Sequence, residues 1–130
     1  MNSGGPASIT NKPRDLKVRT KDFALPIINL YRKLSRTEEA RVIGKQDLRS
    51  GTSIGANYRA ACRSRSRAEF ISKISIVLEE ADETVFWLEL LLESEVFPRS
   101  RIACLLIEAN ELTSIFVASL RTSKSLTSAV

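Results

Sequence analysis

Apolar residues recur every three or four positions along most of this chain, and no stretch of it alternates with a period of two. That spacing is typical of amphipathic helices rather than of strands. The pattern predicts four long helices, separated by short polar connections, within residues 15–121. Long helices with short connections pack as antiparallel neighbours. The sequence therefore predicts an all-α fold, an up-and-down antiparallel four-helix bundle.

The first two predicted helices each carry one apolar face. In the first helix this face consists of Leu16, Phe23, Ile27, Leu30, Tyr31 and Leu34. Pro26 lies inside the helix and predicts a kink or a helix start, because proline removes one helical hydrogen bond. The second helix is predicted to run from about Thr37, a candidate N-cap, to about Ser64. Gly51 and Gly55 lie on its apolar side, where they predict the close approach of another backbone.

The third predicted helix begins at a capping-box signature, in which Ser66 is the N-cap and Glu69 follows three residues later. This helix continues to about Glu95. Pro98 marks the break before a fourth helix, which is predicted to end near Arg121. The four helices together account for one compact domain, as expected for a chain of 130 residues.

The two ends of the chain differ from the helical region. Residues 1–14 and 122–130 are rich in small polar residues, so we expect a disordered N-terminal tail and a flexible C-terminal tail. The N-terminal segment lacks the apolar stretch of a secretory signal. Glu89 and Glu93 interrupt the most apolar stretch, which is therefore shorter than the roughly 20 residues that span a bilayer. We expect a cytoplasmic protein without a membrane partner.

A basic stripe follows the side of the second predicted helix that lies opposite its apolar face. Its members are spaced by four within two triplets, Arg41, Lys45, Arg49, Arg59, Arg63 and Arg67. On one continuous helix this stripe would extend over about 39 Å. Arginine forks bind phosphate oxygens in pairs, and each neutralised phosphate releases counterions. The basic stripe therefore predicts electrostatic binding of RNA or DNA, without an aromatic platform for base stacking.

The third predicted helix offers an alternative partner for the basic stripe. Residues 68–97 carry eight acidic side chains against a single lysine, although the whole chain has a net charge of +5. Ion pairs within the bundle or between subunits would neutralise much of the stripe. In that case the protein would act as a protein–protein adaptor, and the stripe would hold its assembly together.

The residue patterns on which the common catalytic and metal sites depend do not occur in this sequence. The chain has no His, the commonest general base and metal ligand. Cys62 and Cys104 cannot form a Cys-rich zinc cluster and are expected to be free thiols. Glu79 and Glu83 could serve a metal-dependent hydrolase, but an acidic helix face of this kind is more often simply solvated. The sequence therefore predicts no enzymatic activity, no catalytic residues, no cofactor and no metal site.

A second apolar face appears in the third predicted helix. Its core face consists of Phe70, Ile74, Val77, Leu78, Ala81, Val85, Leu88 and Leu92. Phe86, Trp87 and Leu90 point away from that face, and a helix that is apolar nearly all round is buried on more than one side. We expect these three residues to form an interface between identical subunits. An extended core contact beneath the N-terminal segment is the alternative.

Several short motifs resemble those of a known family. The strongest is LRSGTSIGANYR at residues 48–59, followed by EFISKI at 69–74, EADET at 80–84, WLELL at 87–91 and EANEL at 108–112. The opening DLKV at residues 15–18 is also similar. Together they resemble the four-helix-bundle proteins encoded by intervening sequences of bacterial large-subunit ribosomal RNA genes.

That resemblance implies a homopentameric ring of bundles around a central channel, without an established catalytic activity. The related accessory protein of diversity-generating retroelements is a similar pentamer that binds nucleic acid and a reverse transcriptase. By this resemblance the partners would be further copies of the chain, RNA or DNA, and a reverse transcriptase. A ring would also multiply any weak contact by avidity, provided that the ligand reaches several subunits.

Overall fold

The computed structural model describes residues 13–34 and 36–128, and the regular structure within them is entirely helical. Helix α1 spans Pro13–Lys33, α2 spans Glu38–Ala61, α3 spans Arg67–Glu93 and α4 spans Arg99–Ser128. Each helix packs against the next one along the chain, and α1 also touches α4 over a smaller area. The prediction of an all-α four-helix bundle is confirmed. Most of the predicted N-terminal tail, residues 1–12, lies outside the described residues.

Helix α1 is one uninterrupted helix, so the predicted helix start near Pro26 is wrong. Pro26 lies on the exposed side of α1, and so does Asp22 one turn earlier. Water can therefore bind the carbonyl oxygen that loses its N–H partner, which reduces the cost of the proline. The predicted apolar face is confirmed, since Ile27 and its neighbours on that face pack into the core.

Glycines of α2 set the distance and the direction of α1. A Cβ atom added at Gly51 would lie 3.1 Å from Ile27 Cγ2, and one added at Gly55 would lie 3.2 Å from Thr20 Oγ1. From Gly51 to Gly55, toward the C-terminus of α2, the contact on α1 shifts from Ile27 to Thr20, toward the N-terminus of α1. The two helices are therefore antiparallel. The predicted close approach of another backbone is confirmed at Gly55, where the added Cβ would lie 3.4 Å from the backbone carbon of Thr20, whereas Gly51 makes room for the side chain of Ile27.

The start of α3 is fixed by side-chain hydrogen bonds. The Glu69 N–H donates to Ser66 Oγ over 3.1 Å, while Glu69 Oε1 accepts a 2.9 Å hydrogen bond from the Arg65 N–H. The predicted N-cap is thus confirmed, although the return bond goes to Arg65 rather than to Ser66 itself. At the start of α2, Thr37 is the N-cap residue as predicted, but its side chain makes no capping hydrogen bond.

The core lies between the four helices and is largely apolar. Its largest fully buried side chains include Ile54, Ile74, Leu88, Leu91, Ile102, Leu112 and Phe116. The rings of Tyr58 and Phe116 lie 5.5 Å apart and join α2 to α4. Two buried hydroxyls, those of Ser50 and Thr84, lie 2.9 Å apart and join α2 to α3. This polar pair is satisfied inside the core, which limits the cost of burying it.

Helix α4 continues to Ser128, so the predicted end near Arg121 is wrong. The physical reason is packing, because Leu120 contacts the core and Ser123 is buried beyond the predicted end. The flexibility expected for residues 122–130 stays a prediction.

The stretch Arg99–Leu126 of α4 is long and apolar enough to cross a membrane by length and composition alone, so the expectation that no stretch reaches this length is wrong. Core helices of soluble proteins share this property. Part of this apolar surface forms the bundle core, where Leu112 and Phe116 are fully buried. Another part faces outward, and Ile107 is 62% exposed. The helix therefore has more apolar surface than a single bundle uses.

The connection between α3 and α4 contains a strained residue. Glu95 has a φ of 60°, in the left-handed region that favours glycine. We expect Glu95→Gly to raise the free energy of unfolding by up to about 1 kcal/mol, because glycine adopts this φ without steric cost. Urea denaturation measures the change. Glu93→Gly is the control, since Glu93 is helical and glycine should lower stability there. A loss of stability in Glu95→Gly would contradict the strain argument.

Candidate nucleic-acid interface

The six cations of the predicted basic stripe do not lie on one helix. Helix α2 ends at Ala61, so Arg63 lies in the connection and Arg67 is the first residue of α3. The condition of one continuous helix is therefore not met, and the 39 Å row that depends on it does not form. All six members of the stripe are exposed. What distinguishes them is the set of neighbours that each one meets.

Arg49 is engaged by the acidic helix α3. Its guanidinium lies 3.2 Å from Glu80 Oε1 and 2.7 Å from Glu83 Oε1. The hydrogen bond from Arg49 lowers the pKa of the Glu83 carboxyl, which also accepts a 3.3 Å hydrogen bond from Trp87 Nε1. An exposed ion pair of this kind contributes less than about 1 kcal/mol to stability. Arg49 therefore belongs to the contact between α2 and α3.

Arg41 is also engaged within the bundle. Its guanidinium lies 5.5 Å from the centre of the Tyr31 ring, and Nη2 donates a 3.2 Å hydrogen bond to the Tyr31 hydroxyl. This cation–π contact joins the start of α2 to the end of α1. Lys45, one turn further along α2, is exposed and makes no ion pair with a described side chain. It lies between the two engaged arginines.

Arg59 and Arg63 meet two lysines of α1 in what we call the basic cleft. This cleft has a volume of about 370 Å³ and is lined by Lys17, Val18, Lys21, Arg59 and Arg63. None of its four cations forms an ion pair with a side chain in the described part of the chain. Like charges held together in this way repel one another, and a bound anion relieves that repulsion. The cleft is thus a candidate phosphate site.

The register between α1 and α2 creates the basic cleft. Thr20 is fully buried beside Gly55, and its hydroxyl donates a 2.7 Å hydrogen bond to the Leu16 carbonyl. Lys17 and Lys21 lie on either side of Thr20 along α1. Arg59 follows Gly55 by one helical turn, at the end of α2 that lies beside the start of α1. Close backbone approach at this glycine therefore brings the cations of both helices together.

Lys17 and Lys21 were not among the candidate residues from the sequence. The signal that could have found them is their spacing of four, together with an antiparallel register fixed by Gly55. Neither part is sufficient alone, because a lysine pair on a helix surface is common. Lys17 and Lys21 contribute to the basic cleft only because Arg59 and Arg63 lie opposite them.

A separate ion-pair cluster joins α1 to α4. Arg19 Nε donates to Glu108 Oε2 over 2.7 Å, and Nη2 donates to Glu111 Oε1 over 2.6 Å. The hydrogen bond with Glu108 is the main reason why the pKa of Arg19 is raised. These acidic residues of α4 are thus bound to Arg19 and do not line the basic cleft. The cluster leaves the cations of the cleft available to a ligand.

The predicted subunit interface is only partly exposed. Phe86 is 50% exposed, whereas Trp87 and Leu90 are half-buried. The Phe86 and Trp87 rings meet edge to face, with centres 4.9 Å apart. Ile107 of α4 adds exposed apolar surface that the sequence patterns did not single out. Whether these residues contact another subunit stays a prediction.

The carboxylates considered for a hydrolase do not form a separate site. Glu79 is exposed, and Glu83 is bound to Arg49. Within residues 13–34 and 36–128, no group of three or more His, Cys, Asp or Glu side chains is placed to hold a metal ion. Cys62 and Cys104 are free thiols.

Comparisons with known proteins agree with this architecture. Residues 14–118 match the family model described as 23S rRNA-intervening sequence protein. Among solved structures, the chain is similar to a protein of unknown function from the S23 ribosomal protein family of Bacteroides thetaiotaomicron, with 39% sequence identity and a TM-score of 0.77. The alignment covers 84% of this chain and 97% of that one. The search of curated proteins found no match.

Proposed function

Since the chain belongs to the 23S rRNA-intervening sequence protein family, as its motifs predicted, we propose that it is a non-enzymatic protein that binds RNA or DNA through the basic cleft. The observation that carries this proposal is the meeting of four cations, from α1, α2 and the connection that follows α2, in one cleft without acidic partners among the described side chains. Phosphate groups are the anions that nucleic acid presents at regular spacing. Recognition would be electrostatic, with little dependence on base sequence.

The proposal assigns different roles to the members of the basic stripe. Arg59 and Arg63 bind phosphate together with Lys17 and Lys21. Arg41 and Arg49 stabilise contacts between helices, because each is held by a neighbour in the bundle. Lys45 and Arg67 are exposed and extend the positive surface at low density.

The test is a charge reversal that separates the basic cleft from general positive charge. We expect Arg59→Glu/Arg63→Glu to weaken binding of a structured RNA by about tenfold or more, because two phosphate contacts are lost. Fluorescence anisotropy at about 50 mM salt measures the affinity. The control is Arg99→Glu/Arg121→Glu, which changes the net charge equally at exposed positions of α4. Equal losses in both variants would contradict a specific site.

The proposal includes a homopentameric ring, as the family resemblance implies, and a location in the cytoplasm. Exposed apolar surface on α3 and α4, notably at Phe86 and Ile107, supports burial against a neighbouring subunit. Trp87 and Leu90 lie beside Phe86 and would be covered further in the assembly. A ring would place several basic clefts within reach of one nucleic acid.

A second candidate function is a protein–protein adaptor, for example for a reverse transcriptase. The observation that favours it is the acidic surface of α3, where Glu79, Asp82 and Glu89 are exposed. In this case the basic cleft would bind acidic side chains of a neighbouring subunit. Charge reversal in the cleft would then disrupt the assembly rather than RNA binding alone.

Light scattering tests the subunit interface. We expect a wild-type mass several times the 14.5 kDa of one chain. Phe86→Glu should lower that mass, because it places a charge in an apolar interface. Val42→Glu, at a similarly exposed position of α2, is the control and should leave the mass unchanged. A wild-type monomer would contradict the interface.

A further inference from the structure

The basic cleft is compact along both helices. Lys17 and Lys21 are one helical turn apart, which corresponds to about 5.4 Å. Along α1 no further cation follows Lys21 until Arg32, and residues 50–58 of α2 contain no charged side chain. A nucleic-acid strand that continued from the cleft toward the middle of either helix would leave the positive surface after a few phosphates. The cleft therefore suits a short cluster of phosphates rather than a long backbone.

The charge of the basic cleft is high for its volume. Four cations line an open cleft of about 370 Å³, and no described acidic side chain lines it. Each phosphate inside a nucleic-acid strand carries one negative charge, whereas a terminal triphosphate carries about four. The volume also lies within the range of small-ligand pockets, about 300–1,000 Å³. A terminal phosphate group matches both the charge and the size.

The cleft also contains an apolar surface. Val18 lies between the two lysines in sequence, lines the cleft and is 60% exposed. A bare phosphate ion would leave this side chain in water. A ribose or a base attached to the phosphates could pack against it and remove apolar area from water. Phosphates joined to a nucleoside therefore fit the cleft better than phosphate alone.

From these observations we propose that the basic cleft binds the terminal 5′-di- or triphosphate of a nucleotide, either free or at the end of an RNA chain. Lys17, Lys21, Arg59 and Arg63 bind the phosphates, and Val18 contacts the attached nucleoside. This inference rests on the proposed nucleic-acid binding, since it names the part of the nucleic acid that occupies the same cleft.

The experiment compares one RNA sequence with a 5′-triphosphate or a 5′-hydroxyl end. We expect the triphosphate RNA to bind about tenfold more tightly, because charge-assisted hydrogen bonds to the terminal phosphates are added. Lys17→Gln/Arg63→Gln should abolish this preference. Val18→Asp, a change at an exposed position that should leave folding intact, should reduce it as well. Arg99→Gln/Arg121→Gln is the matched control and should retain it.

The outcomes separate this inference from the proposed function. Equal binding of the two RNAs, weakened equally by the cleft variant, would overturn the inference and leave nucleic-acid binding intact. Binding of the triphosphate RNA alone would support the inference and contradict backbone binding. Competition by GTP at the affinity of the triphosphate RNA would identify free nucleotide as the ligand source. Binding of inorganic triphosphate alone would overturn the role of Val18, and binding of neither RNA would overturn both proposals.

Discussion

Asp47→Asn is expected to stabilise the bundle at pH 8 by about 2–4 kcal/mol and to flatten the dependence of its stability on pH. Asp47 is only 2% exposed, and its Oδ1 atom has no hydrogen-bond partner among the described residues. Burial raises the pKa of this carboxyl to about 7, because the charged form loses its hydration. Ionised Asp47 is therefore costly in the folded protein.

The direction of the pH effect follows from the raised pKa. In the unfolded chain the carboxyl loses its proton near its ordinary pKa of 3.8, whereas in the folded protein it keeps the proton until about pH 7. The contribution of protonated Asp47 to the free energy of unfolding is therefore complete below the unfolded pKa, and it is lost as the pH rises through about 7. Wild-type protein should be less stable at pH 8 than at about pH 5 for this reason.

Urea denaturation at several pH values measures this contribution. Asp47→Asn removes the ionisable group without changing the size of the side chain much. Asp82→Asn is the control, because Asp82 is exposed on α3 and its replacement should change stability at pH 8 by less than about 0.5 kcal/mol. An Asp47→Asn variant with the same pH dependence as the wild type would contradict the buried-carboxyl interpretation.

Gly55→Leu is expected to destabilise the bundle by about 3 kcal/mol and to weaken RNA binding as well. A Cβ atom at Gly55 would lie 3.2 Å from Thr20 Oγ1 and 3.4 Å from the backbone carbon of Thr20. Thr20 is fully buried, so α1 would have to move as a whole to admit a larger side chain. That movement would also separate Lys17 and Lys21 from Arg59 and Arg63.

The comparison with smaller and more exposed changes isolates this packing effect. Gly55→Ala should have a small effect, since the helix propensity of alanine offsets a contact tighter by a few tenths of an ångström. Ala56→Leu, at the exposed neighbouring position, should change stability by less than about 0.5 kcal/mol. Thermal or urea denaturation gives the free energies, and anisotropy gives the RNA affinity. A stable Gly55→Leu variant with wild-type affinity would contradict the role of the glycine.

The features that the sequence predicted correctly depend on local chemistry. The Ser66 cap, the apolar face of α1 and the close backbone approach at Gly55 each follow from a few residues within one helix. The family motifs have the same local character, and the family match at residues 14–118 confirms the resemblance. Such signals need no knowledge of how the helices are placed relative to one another.

The features that the sequence missed depend on tertiary register or packing. The sequence offered the acidic third helix as a whole as a partner for the basic stripe, but it did not identify the residues that bind Arg49. The register between α2 and α3 determines that these are Glu80 and Glu83. Lys17 and Lys21 enter the candidate site for the same reason. The predicted stripe was too long because α2 ends at Ala61, before Arg63. Helix α4 continues past Arg121 because Leu120 contacts the core and Ser123 is buried, and no helix-end signal in the sequence indicates these contacts.

The salt dependence of RNA binding tests the central claim, that the basic cleft binds phosphates, most directly. Each phosphate neutralised contributes about −0.7 to −0.9 to the slope of log K against log salt concentration. We predict a wild-type slope of about −3 and a reduction in its magnitude by about 2 in Arg59→Gln/Arg63→Gln. Arg99→Gln/Arg121→Gln should keep the wild-type slope. A slope that is unchanged in Arg59→Gln/Arg63→Gln would contradict the account.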